Sequence, residues 1–197
     1  VKRKNVLSQE PWVPARPLGP QGRLWVALIL LGIALLWLLW ADAHASLPAR
    51  VPSHFNFKGQ ADDYGGKGHL LFITLCFTLV SLSLLVLVRF RFLLVNRWPE
   101  LLNLPAFFLY APLLPPERRA VWLNRYFETL LFLDVELTAY FLLVQWGLVQ
   151  GARTGQLPPW FTPVALAFPL VLILPGLLQF FRLGRQLREE SKRYTAP

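Results

Sequence analysis

The sequence predicts an all-α integral membrane protein with four transmembrane helices, both termini on the cytoplasmic side, and a small β-like outer loop between helices one and two. Three observations carry this. Hydrophobic residues make up 55% of the 197 residues and the mean hydropathy is +0.43, too apolar for a soluble domain of this length. Four windows are long enough to cross a hydrocarbon core about 30 Å thick, which takes roughly 20 apolar residues as helix. The basic residues, finally, fall unevenly on the two sides that four crossings define.

Residues 1–23 read as a basic cytoplasmic segment, with Lys2, Arg3, Lys4, Arg16 and Arg23. The first span, 24–43, is an almost unbroken apolar run whose Trp25, Trp37 and Trp40 suit interfacial anchoring. An outer loop over 44–69 leads to the second span at 70–88, and residues 89–125 form a cytoplasmic and interfacial connection. The third span is 126–149, a short outer loop covers 150–160, the fourth span is 161–181, and 182–197 is a basic cytoplasmic tail. Sixteen basic residues then lie on the side of the termini, against Arg50, Lys58, Lys67 and Arg153 on the other. That asymmetry sets both ends inside. A cleaved signal peptide is the competing reading of the start, since Ala43-His44-Ala45-Ser46 has the small-x-small form of a cleavage site. The apolar run is longer than the usual signal core of about 7 to 15 residues, which favours a span.

Within the connection, residues 98–125 are too broken by proline to cross, and Phe107, Phe108 and Tyr110 are expected at the headgroup boundary. Pro115-Pro116-Glu117 reads as a helix start, with proline in the first turn and an acid near the positive end of the dipole. That helix is expected to run from Pro116 into the third span. Pro163, Pro169 and Pro175 predict a bent fourth helix, either an irregular packed helix or a transporter hinge. No internal repeat or inverted symmetry of the transporter kind is visible.

A net charge of +9 raises nucleic acid as a partner. The arginines, however, sit beside the ends of apolar segments, with no basic stripe interleaved with aromatics, so the expected partner is the lipid bilayer and not nucleic acid. Cys76 is the single cysteine, inside an apolar run, and suits packing. No nucleophile elbow, phosphate loop, Cys–His pair or haem-attachment motif is present, which points away from an enzyme and calls for no cofactor.

The outer loop is the most distinctive stretch: Leu47-Pro48-Ala49-Arg50-Val51-Pro52-Ser53-His54-Phe55-Asn56-Phe57-Lys58-Gly59-Gln60-Ala61-Asp62-Asp63-Tyr64-Gly65-Gly66-Lys67. Pro48 and Pro52 hold an extended entry, residues 50–57 can pair as a short strand, and Gly59 with Gly65-Gly66 supplies turns. The expected result is a small rigid cap. This loop resembles that of bacterial membrane proteins with the pattern LPxxVPxHFNxxGxxDxxxxK, a domain of unknown function whose best-known relatives are the SdpI-type immunity and signalling proteins. Pro48, Pro52, His54, Phe55, Gly59, Asp62 and Lys67 fall at that spacing, and the resemblance extends over residues 24–150. It implies a non-enzymatic role, either protection from a membrane-active toxin or sensing by sequestration of a partner, in the bacterial cytoplasmic membrane.

His44, His54 and His69 with Asp42, Asp62 and Asp63 fall in one outer region, but their spacing matches no standard metal motif, so no metal site is assigned. Hydrogen bonding between His54 and Asp62, and pairing of Lys67 with an acid near the membrane surface, are expected instead. The third span carries Glu128, Asp134 and Glu136, and an acid at a helix centre costs roughly 2.5 to 3.5 kcal/mol on insertion scales. At about 100° per residue, Asp134 and Glu136 point nearly opposite ways, so the three acids cannot share one face. Glu128 is expected to meet Arg125 or another inner arginine. Asp134 and Glu136 are left to protonation, to hydrogen bonds with Thr74, Thr78 or Ser81, or to a partner's cation. The function expected is protein or peptide binding in the membrane, of immunity or signalling type. An accessory subunit of a larger respiratory or photosynthetic complex is the alternative, and a small transporter or channel the third reading.

Overall fold

The computed structural model describes residues 11–195, so Lys2, Arg3 and Lys4 lie outside the described residues. The chain folds as a helical bundle around one long central helix, closed at one end by a two-stranded cap and at the other by short helices. Helix α1 (Pro20–Ser46) starts with proline in its first turn, where the missing N–H is not needed. Helix α2 (Gly68–Arg89) follows the cap, and the short helices α3 (Arg91–Arg97) and α4 (Pro105–Tyr110) precede the central helix α5 (Pro116–Thr154). Helix α6 (Phe161–Thr195) ends the described chain. Three of these, α1, α2 and α6, are long and apolar enough to cross a membrane. At 39 residues α5 is longer than any of them, and it begins at the proline that the sequence marked, with Glu117 in its first turn.

What makes α5 central is its pattern. Ala120, Asn124, Phe127, Leu131, Asp134, Thr138, Phe141 and Gln145 are all buried, in steps of four and three. Alternating steps of four and three keep one stripe facing its neighbours along the whole helix, as in left-handed bundles. Helix α1 answers with buried Gly22, Ile29, Gly32, Leu36 and Ala43, and α2 with Leu70, Thr74, Thr78, Ser81 and Val88. Gly32 is the tightest of the α1 glycines: a Cβ placed there would sit 2.4 Å from Cγ2 of Thr138, so only glycine lets α1 lie against α5 at this level. Helix α6 packs on α5 and α4. It runs through Pro169 and Pro175 as one helix, and the carbonyl that Pro169 leaves without a donor, that of Ala165, accepts a hydrogen bond from the Tyr140 hydroxyl at 3.0 Å.

At the basic end, residues 11–19 form an extended strap sewn to the bundle by side chains. Asn96 bonds both the N–H and the C=O of Val13, each at 2.9 Å. The Arg91 guanidinium reaches the Arg16 carbonyl at 2.8 Å and Asn124 Oδ1 at 2.7 Å, and Asn124 donates to the Pro17 carbonyl at 2.9 Å. Arg119 bonds the Trp12 carbonyl and lies over the Trp12 ring. Phe107, expected at the headgroup boundary, is fully buried instead, because Trp12 and Tyr126 pack edge-on against it at 5.8 and 6.1 Å.

The cap is an antiparallel hairpin of β1 (Arg50–Phe55) and β2 (Ala61–Gly66). Gly65 and Gly66 do not make a turn: they pair with Val51 and Arg50 inside the hairpin. Gly59 is the turn residue, with φ +74°.

Candidate functional site

The distinctive positions of the loop between α1 and α2 divide between fastening the cap to the bundle and holding the hairpin itself together. Leu47, Val51 and Pro52 are buried beneath it, while Pro48 is exposed at the start of the extended entry. The Phe55 ring lies over Gly151 of α5, where a Cβ would come within 2.9 Å of it. Asn56 closes the turn by accepting from the amides of Lys58 and Gln60. The Gly59 carbonyl takes the Leu157 amide at 2.7 Å, and Ala61 donates to the Gly155 carbonyl at 2.9 Å, so the connection between α5 and α6 is tied to the cap. His54 and Asp62 meet at 2.6 Å across the hairpin, as expected. Among the described residues Lys67 does not pair with an acid. Its ammonium donates to the carbonyls of His44 and Leu47, at 2.6 and 3.0 Å, and so caps the last turn of α1.

The other outer histidines and aspartates disperse. Asp42 pairs with Arg153 at 2.5 Å, His69 bonds the Gly66 carbonyl, and His44 stacks on Trp40. Among the described residues, no group of three or more His, Cys, Asp or Glu side chains is placed to hold a metal ion. Two aromatic rings are exposed on the cap beside its polar side chains: Phe57 at the tip is fully exposed and Tyr64 about half.

The three acids that the sequence places in the third span, Glu128, Asp134 and Glu136, all lie on α5 and go to three environments. Contrary to expectation, Glu128 makes no ion pair with an arginine among the described residues. Its Oε1 accepts from the Gly19 amide at 3.1 Å, placing an anion at the N-terminus of α1, where the dipole favours it. Its charge still acts on Arg91: burial lowers that guanidinium from its ordinary value, and Glu128 opposes the shift. Asp134 is fully buried on the seam between α1, α2 and α5, and among the described residues neither oxygen has a hydrogen-bond partner. The Ser81 and Thr138 hydroxyls beside it bond each other at 2.9 Å. Thr78 is engaged by the Trp37 indole at 3.1 Å and Thr74 by its own helix, so neither of these serves Asp134. Glu136 is half-buried, with one carboxylate oxygen buried and unpartnered.

The stripe Arg125, Thr129, Phe132 and Glu136, in steps of four and three, defines a second face of α5. Its first three members line a cavity of about 740 Å³ between α1, α5 and α6, together with Trp25, Glu128 and Arg182. Glu136 continues that stripe one turn toward the cap. A third face, Tyr126, Leu130, Leu133, Leu137 and Tyr140, looks toward α6 and α2 and lines further cavities.

Sequence reasoning missed the side chains that satisfy buried backbone. Asn96, Asn124 and Arg91 had no apparent role, and Gln145, which donates to the Leu36 carbonyl at 2.7 Å, was read only as part of a span. The usable signal was the 3–4 spacing of Asn124, Asp134, Thr138 and Gln145 on one stripe.

Comparison with known proteins adds two findings. Residues 28–78 match a domain of unknown function (DUF1648), which here comprises the later part of α1, the whole cap and the first half of α2. An uncharacterised protein of Archaeoglobus fulgidus is 37% identical over 157 residues, covering 80% of this chain and 82% of its own length. No solved structure matches the chain.

Proposed function

The chain belongs to the same family as that archaeal protein, and we propose that it is a non-enzymatic membrane protein of four spans, α1, α2, α5 and α6, that works by binding a protein or peptide partner within the bilayer. The family is therefore not confined to bacteria, and the SdpI-type relation that the outer loop suggests is part of this proposal. Both termini lie in the cytoplasm in this reading, because the basic strap, α3 and the basic end of α6 gather at one end of the bundle. The membrane is the cytoplasmic one, and the cap faces outward.

The observation that carries the partner reading is Glu136. A half-buried carboxyl at span depth, with an unpartnered oxygen and no cation beside it among the described residues, is costly in lipid and is stabilised by a donor from outside. Asp134 cannot play that part, because it is enclosed on the seam. The face between α1 and α6 that holds Glu136 is therefore where the partner's helix sits.

The test is purification from native membranes in mild detergent, with peptide identification of whatever travels with the chain, for the native protein and Glu136→Gln. A stoichiometric membrane partner that the variant loses supports the proposal. A native chain that travels alone, or a partner retained equally by both, overturns it. The immunity role predicts that a deletion strain becomes sensitive to an amphipathic peptide. Loss of one assembly's activity in that strain, with no such sensitivity, makes the chain an accessory subunit instead.

A further inference from the structure

On the third face of α5, away from Glu136, three adjoining cavities form one site. The widest, about 590 Å³, opens at the basic end between α4, α5 and α6, with Arg185 and Arg188 lining it. Among the described residues, neither guanidinium has a carboxylate partner; Glu190 is held by Arg118 and Glu189 by Lys192. Tyr126 lines both this cavity and its neighbour of about 170 Å³. The residue is 4% exposed, and among the described residues its buried hydroxyl has no hydrogen-bond partner. Leu177 and Phe180 then connect the site to a cleft of about 340 Å³ between α2, α5 and α6, walled by Leu84, Leu133 and Leu137.

From the mouth toward the middle of the span the site thus offers guanidinium, then a hydroxyl donor, then hydrocarbon. We propose that it holds an anionic glycerophospholipid of the cytoplasmic leaflet. The order matches the molecule group by group. Arg185 and Arg188 take the phosphate, for which fork-like guanidinium donors are well suited. The Tyr126 hydroxyl donates to the ester or ether oxygen at the glycerol, which ends its isolation. One chain lies in the apolar cleft along Leu133 and Leu177. An apolar protein helix would leave both arginines and the tyrosine without acceptors, and a free anion would leave the cleft unfilled. Basic pockets between membrane helices on the cytoplasmic side are suited to anionic headgroups. The inference rests on the membrane placement of the bundle and not on the partner reading, since Glu136 is on another face.

The experiment uses the full chain in detergent with phosphatidylglycerol added, read by native mass spectrometry and by thermal stability, with phosphatidylcholine and inorganic phosphate as comparison probes. Retention of phosphatidylglycerol, with a rise in Tm that phosphatidylcholine and phosphate do not give, is expected. Arg185→Gln/Arg188→Gln is expected to weaken that binding roughly tenfold. Arg182→Gln/Arg193→Gln, which removes equal charge from the same helix outside this cavity, is expected to leave it unchanged. Tyr126→Phe keeps the ring and is expected to weaken binding about threefold. Equal losses in the two arginine pairs would reduce the effect to general surface charge and overturn the site. Stabilisation by phosphate alone to the same extent, or equal retention of phosphatidylcholine, would overturn the lipid.

Discussion

Tyr140 supplies the hydrogen bond that Pro169 removes: its hydroxyl donates to the Ala165 carbonyl at 3.0 Å, the acceptor that the residue at 169 would otherwise satisfy from within α6. The Tyr140 ring also stacks on Phe168 at 5.4 Å. A proline in a membrane helix is thus tolerated because a neighbouring helix restores the lost donor. Tyr140→Phe is expected to lower stability by about 1 kcal/mol in detergent unfolding. In a Pro169→Ala background, where the backbone N–H returns, the same change should cost much less. Equal costs in the two backgrounds would show that the bond is not what tolerates the proline.

The contact between Gly32 and Thr138 sets the spacing of α1 and α5. Gly32→Ala forces a methyl to within 2.4 Å of Cγ2 of Thr138, and an overpacked site of this kind costs about 1 to 3 kcal/mol. Adding Thr138→Ser removes the offending methyl and keeps the hydroxyl bonded to Ser81, so the double variant should recover most of the loss. Thermal unfolding of the three proteins decides it; a double variant no better than the single one would place the strain elsewhere.

Among the described residues Asp134 has no cation beside it and neither oxygen has a hydrogen-bond partner, so no ion pair there calls for its negative charge. Asp134→Asn is expected to keep expression and to change stability by no more than about 1 kcal/mol. Asp134→Lys should abolish folding, because a buried ammonium on the seam has no carboxylate to meet. Collapse of the asparagine variant, measured as loss of monodisperse protein on gel filtration, would reveal an ion pair at this position.

Lys67 joins the start of α2 to the end of α1. Lys67→Met removes both donors to the His44 and Leu47 carbonyls, and the last turn of α1 is expected to fray at a cost of about 1 kcal/mol. Faster amide exchange confined to residues 43–47 and the cap would be its signature. Protection unchanged in those residues would mean that the lysine is not a cap.

The amino-acid sequence by itself determined where the apolar helices lie, because some twenty apolar residues in a row leave few alternatives to a buried or membrane helix. It marked the start of α5 at Pro116, and it singled out the loop that becomes the cap, with the His54–Asp62 pair within it. It also showed that Asp134 and Glu136 must face opposite ways, a matter of helix angle alone. Only the tertiary structure decided what surrounds each. Glu128 binds an amide 109 residues away, Lys67 binds carbonyls 20 and 23 residues back, and Phe107 is buried by Trp12, which precedes it by 95 positions. The physical reason is the same in every case. Local pattern fixes the direction of a side chain on its own helix, but the partner of a polar group is set by which backbone atoms the packing brings within about 3 Å. No spacing within one segment encodes that.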